Sequence, residues 1–165
     1  MKKIYIAGFD VFKQDSIQIG KEYSKLCEKY GFKGLYPLDN VVNFNQDKNK
    51  IAQDIYHANV ELIHQSDIVI ANLNAFRGKE ADSGTIWECG YAKALNKDVY
   101  GYMQCNQSYL NSFSDNEKQL LDGVYVDKDN MVIEDFDYPI NLMISCSVKK
   151  IVFGNFEDCL KNIIK

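Results

Sequence analysis

The run DIVIANL, residues 67 to 73, constrains the fold most. Ile68, Val69 and Ile70 follow one another with no polar alternation, as in a strand buried on both faces of a parallel sheet. Such a strand needs helices over each face, so the rest of the chain should alternate strand and helix.

That alternation is legible on both sides of it. KKIYIA, residues 2 to 7, reads as a strand, and residues 16 to 30 follow as a helix with Ile17, Ile19, Tyr23, Leu26 and Cys27 at helical spacing before Gly31. Residues 32 to 38 read as a second strand ending in PLDN, and 51 to 65 as a second helix. After DIVIANL come a small-residue helix, the strand DVYGYM, a short helix at NLMISC, the strand KKIVFG and the closing helix FEDCLKNIIK. The expected fold is therefore α/β: one domain over residues 1 to 165, a doubly wound five-stranded parallel sheet of the flavodoxin-like or Rossmann-like kind. Residues 105 to 138 break the rhythm, and GVYVDKDNMVIEDF predicts a small β-hairpin insertion turning at DKDN.

Composition narrows the function. A net charge of −4 with 46% hydrophobic residues argues against a disordered chain or a basic nucleic-acid binder. The N-terminus fits neither a signal peptide nor a membrane span, so a cytoplasmic protein is expected. Five scattered cysteines without C-x-x-C read as reduced packing residues, not as a disulfide framework or zinc site. His57 and His64 stand two helical turns apart, too far to ligate one ion without a third partner, so no metal and no cofactor is expected.

Ligands in open α/β sheets sit beyond the carboxyl ends of the strands. The loops after KKIYIA and DIVIANL, and PLDN, all end there. FRGKEADSGTIWECGYAKAL, residues 76 to 95, enters that crevice as a loop and leaves it as a helix capped by Asp82 or Ser83. Gly84, Thr85, Tyr91 and Ala92 neighbour Glu88 on this helix, so the carboxylate faces a packed side. An unpaired carboxylate there is costly unless the face lines a polar cavity, which marks Glu88 as a site residue; a carboxylate at the helix margin, paired with a lysine or an amide, is the plain alternative. Without a triad, Walker loop or G-x-G-x-x-G, the best constellation is Asp82 with Glu88, and paired carboxylates suit glycosidic cleavage.

Residues 66 to 102, with the FRG loop, D-S-G-T and E-x-G-Y-A, resemble the nucleoside 2-deoxyribosyltransferase family, and IYIAGFDVF, PLDN and NLMI extend the likeness along the chain. The resemblance implies transfer of a 2-deoxyribosyl group between nucleobases through a covalent intermediate. Glu88 would be the nucleophile, Asp82 the residue that hydrogen-bonds the base and manages its proton, and Tyr5 the holder of the Glu88 carboxylate. Ser83 and Gly84 belong to the same D-S-G-T motif. Asn141 in NLMI resembles an asparagine that reaches the sugar 5′-hydroxyl from a neighbouring subunit, which implies a homo-oligomer, dimer or hexamer, with shared active sites; Met143 lies beside it. Partners would then be 2′-deoxynucleosides and free nucleobases, with no nucleic acid and no membrane.

Phe9 and Phe12 in the first loop could stack on a base or simply pack at the rim. Asn59 stands where many relatives carry an aspartate, and an amide cannot exchange a proton. Arg77, the sole arginine, suits either a phosphate or the ordering of its own loop. Two other functions share these residues: a hydrolase that sends water to the sugar, acting on deoxynucleosides or their 5′-monophosphates, and a non-catalytic nucleotide sensor.

Overall fold

The computed structural model describes residues 1–164. Five parallel strands, β1 (Lys3–Ala7), β2 (Lys33–Leu35), β3 (Ile68–Asn72), β4 (Asp98–Met103) and β7 (Lys150–Phe153), lie in the order β2-β1-β3-β4-β7. β3 is central and buried along its whole length, as the unbroken apolar run predicts. Its register pairs Val69 with Tyr5 on one side and with Val99 on the other, so strand ends Ala7, Asn72 and Met103 open at one edge.

Helices cover both faces. α1 (Ser16–Lys29) and α5 (Phe156–Ile163) bury a core containing Ile4, Ile6, Cys27, Ile70 and Leu160. α2 (Lys48–Gln65), α3 (Ser83–Ala94) and the short α4 (Leu142–Ser145) bury Tyr5, Ala7, Val69, Cys89 and Ile144 on the other. Tyr5 and Ile4 thus point to opposite layers, the period-two alternation of a strand buried on both sides. At Gly20 α1 packs closely on the chain below: a Cβ there would lie 2.3 Å from the Tyr36 ring.

Three boundaries differ from those expected. β2 stops at Leu35 because Pro37 opens a 3-10 turn over Pro37–Asp39, where a proline suits the first helical position but cannot donate to a sheet ladder. α2 starts three residues earlier than residue 51, because Asp47 caps it by accepting from the amides of Asn49 and Lys50 at 3.0 and 3.3 Å. The hairpin pairs β5 (Lys118–Leu121) with β6 (Val124–Asp127), turning at Asp122–Gly123. Both turn residues have positive φ, 49° and 85°, as a type I′ turn demands. The DKDN turn also forms, with Asn130 N–H bonded to the Asp127 carbonyl at 3.0 Å, but the strand after it shrinks to one bridge between Val126 and Val132.

Candidate active site

A cleft of about 460 Å³ lies at the carboxyl edge of the sheet, on the α2/α3 side. Its walls come from the loop after β1 (Gly8, Val11, Phe12), the start of α1 (Ile17), the PLDN turn and the segment after it (Pro37, Leu38, Asn40, Val42, Phe44), α2 (Ile55, Asn59) and the start of α3. Asp82, Gly84, Thr85 and Glu88 form that last wall. The lining is mainly apolar with a few convergent polar groups, the pattern of a small-molecule site.

Local sequence explains how the acids are aimed. Asp82 caps α3, its Oδ2 accepting from the Thr85 amide and the Thr85 hydroxyl, each at 2.9 Å. This fixes the carboxylate at the positive end of the helix dipole and leaves Oδ1 for a ligand. Glu88 follows at i+6, between the buried Thr85 and Ala92 on the inner side of the helix. Beneath it, the fully buried Tyr5 donates its hydroxyl hydrogen to Glu88 Oε1 at 2.5 Å. Glu88 is thus neither a surface residue nor a partner of lysine.

Two opposed effects set the charge of Glu88. Burial, and to a lesser extent the negative charge of Asp82, raise its carboxyl while the Tyr5 hydrogen bond pulls it down, and the net is a rise to about 7. Burial and the adjoining Glu88 hold the Tyr5 phenol far above its ordinary value, so it stays a donor. The result is a carboxylate poised near neutrality with one oxygen fixed and the other open to the cleft.

The other expected residues divide. Phe12 and Asn59 line the cleft, Asn59 Oδ1 lying 3.5 Å from Asn40 Nδ2. Ser83 is exposed at the first turn of α3 and does not line it. Phe9 instead faces a second cavity, across the first loop, and stacks on Phe76 at 5.2 Å. Asn141 caps α4, accepting from Met143 N–H at 3.0 Å and donating to Glu134 at 2.6 Å. It stands outside this chain's own cleft, as does Met143, which is 69% exposed. Arg77 lies over the rings of Phe12 and Phe76, at 5.6 and 4.7 Å. His64 bonds the Tyr91 hydroxyl at 2.9 Å and His57 packs edgewise on Tyr56. Among the described residues no three His, Cys, Asp or Glu side chains cluster as metal ligands. Nor is any described helix long and apolar enough to cross a membrane.

Sequence reasoning did not single out Val42 and Phe44, because VVNFN carries neither periodicity nor a motif; only its position after PLDN pointed to the cleft.

Comparison with known proteins agrees with this geometry. The sequence model of the nucleoside 2-deoxyribosyltransferase family matches residues 4–143. The structure superposes on a 2-deoxyribosyltransferase from Leishmania mexicana with a TM-score of 0.81 and 28% identity, covering 99% of this chain and 97% of the other. A 2-deoxyribosyltransferase from Bacillus psychrosaccharolyticus shares the fold at a TM-score of 0.60 and 19% identity, over 94% of this chain and 88% of that one. An uncharacterised protein of Schizosaccharomyces pombe is 26% identical over 119 residues, 70% of this chain, and the matched region spans 56% of that relative's length. With a family match that runs from the first strand to the fourth helix and takes in the whole cleft, the chain belongs to the nucleoside 2-deoxyribosyltransferase family.

Proposed function

We propose that the chain exchanges nucleobases on 2-deoxyribose through a covalent intermediate on Glu88. The observation that carries this reading is the Tyr5–Glu88 hydrogen bond inside an apolar cleft, with Asp82 one and a half turns away. A carboxylate held at one oxygen and open at the other is oriented for attack on an anomeric carbon.

In the first half-reaction, Glu88 forms a bond to C1′ as the bond from C1′ to the base nitrogen breaks. The electron pair leaves with the base, and Asp82 passes it the proton that neutralises it. In the second, an incoming base gives its proton to Asp82 and takes the sugar, releasing Glu88. Two inversions retain configuration. Attack needs Glu88 ionised, and the Tyr5 hydroxyl favours that form by donating to the anion.

The apolar walls suit a planar base, with Phe12 stacking and Asn59 and Asn40 offering amide contacts to its edge. Asn141 and Met143, which stand apart from their own chain's cleft, act on the sugar end of a neighbouring subunit's cleft. The protein works as a homo-oligomer, needs no cofactor, and returns free bases to the deoxynucleoside pool.

The test is to incubate the protein with 2′-deoxyinosine and adenine and separate the products by chromatography. New 2′-deoxyadenosine is the expected outcome, abolished by Glu88→Ala. Deoxyribose without new nucleoside would establish hydrolysis instead, and unchanged transfer by Glu88→Ala would remove Glu88 as nucleophile.

A further inference from the structure

The loop after β1 and the loop after β3 are joined above the sheet by a pile of aromatic rings. Phe76 stacks on Phe9 at 5.2 Å with an interplanar angle of 15°, and on Phe12 at 5.4 Å and 14°. The guanidinium of Arg77 lies over both Phe76 and Phe12, at 4.7 and 5.6 Å from the ring centroids. Arg77 takes no part in any ion pair among the described residues, although its side chain is exposed. The backbone is shaped for this contact: Arg77 has φ 51°, uncommon for a non-glycine residue, Gly78 has φ 148°, and the Phe76 amide closes the loop onto the Glu80 carbonyl at 2.8 Å.

Only Phe12 of the pile lines the cleft, and 60% of it is exposed. A phenylalanine that exposed rotates freely unless something packs on it, and a mobile ring is a poor stacking partner because each binding event must order it. A planar cation over a ring face supplies that order with geometry an ammonium lacks.

We propose that Arg77 is a positioning residue for base recognition: its guanidinium, packed over Phe76 and Phe12, holds the Phe12 ring where an incoming nucleobase stacks on it. The proposal rests on the reading of the cleft as a nucleobase site. It assigns the chain's sole arginine to binding of the base, away from the bond that breaks.

A double-mutant cycle tests it. Adenine binding is measured by titration calorimetry for the wild type, Arg77→Ala, Phe12→Ala and the double variant, with thermal unfolding as a check on folding. Arg77→Ala is expected to weaken adenine binding and raise the acceptor KM about two- to fivefold, the scale of one exposed cation–π contact, with kcat moving less. Arg77→Lys should recover only part of the loss. Adding Arg77→Ala to Phe12→Ala should cost nothing further, since the ring it positions is gone. Additive losses, or unchanged adenine affinity in Arg77→Ala, overturn the proposal. So does a loss confined to 2′-deoxynucleoside 5′-monophosphates, which would make Arg77 a phosphate ligand. Binding is read without turnover: a wild type that binds adenine and shows the coupling, yet makes no new nucleoside, supports the positioning role while the transferase reading fails.

Discussion

Tyr5 and Glu88 are two acids sharing one hydrogen bond, and their inequality governs what the site does with pH. Glu88 is raised from an ordinary 4.5 to about 7, so between those values the folded chain binds more protons than the unfolded one. Its contribution to stability is therefore complete below pH 4.5, declines as pH rises, and is lost above about 7. The Glu88→Gln variant keeps the size of the side chain and an acceptor for Tyr5 without that titration. It should unfold in urea with stability above the wild type by roughly 2 to 3 kcal/mol at pH 8, and by much less at pH 4.5. A constant difference across that range would mean that Glu88 titrates normally. On the proposed mechanism activity runs the opposite way, since attack needs the carboxylate: the acid limb of kcat should rise toward pH 7. Tyr5→Phe removes the group that pulls the Glu88 carboxyl down, so its acid limb should shift to higher pH and kcat should fall at neutrality. An acid limb that stays in place would show that the phenol packs without tuning its neighbour.

At the scale of elements, α1 reaches the site twice, through Ile17, which lines the cleft, and through Gly20. Gly20 packs on the Tyr36 ring, Tyr36 is 2% exposed, and the PLDN turn that walls the cleft follows it directly. A methyl at Gly20 would enter the ring, which has no room to retreat. Gly20→Ala should destabilise by about 1 to 3 kcal/mol even though alanine favours helices, because overpacking outweighs propensity. It should also raise KM by displacing Pro37 and Leu38, and an unchanged urea midpoint would show that the ring yields. The elements themselves were largely legible in the sequence. DIVIANL announced the central strand because burial on both faces leaves an unbroken apolar run, and Ser16–Lys29 announced α1 by its periodicity. The hairpin was misplaced since two adjacent turns, Asp122–Gly123 and DKDN, compete over the same alternating residues; Asp-Gly, which accepts positive φ twice, carries the full ladder. In the cleft, helical spacing made Glu88 a candidate for the inner face without excluding the helix margin, and Asp82 followed from capping. Tyr5 beneath Glu88 is a contact 83 residues apart in sequence, which no local period contains. Phe9 and Phe12 looked alike as neighbours in one loop, and a short 3-10 turn over Phe9–Phe12 sends them to different cavities.

At the scale of the whole molecule, the proposed sharing of clefts between subunits turns on the separation between α4 and the cleft. Asn141 is committed within its own chain to capping α4 and to Glu134, whose second oxygen also receives the Leu142 amide at 2.8 Å. That network ties down the start of α4, while Met143 beside it is left 69% exposed. A hydrogen-bonded polar corner with an exposed apolar neighbour is suited to complete a cleft on another copy. If each cleft joins Glu88 of one subunit to Asn141 of the next, two differently disabled chains should repair each other. Glu88→Ala and Asn141→Ala are each expected to be nearly inactive alone, with folding checked by circular dichroism. Coexpressed in equal amounts as a dimer, half of the assemblies are mixed, and in each mixed dimer one of the two clefts holds both native residues. Recovery of about a quarter of wild-type turnover is then expected from the symmetry alone. Recovery should vanish when the two variants are purified apart and assayed without subunit exchange. No recovery in coexpressed material of confirmed mixed composition would mean that each subunit builds its cleft unaided, and the corner at Asn141 would be left with capping α4 as its whole task.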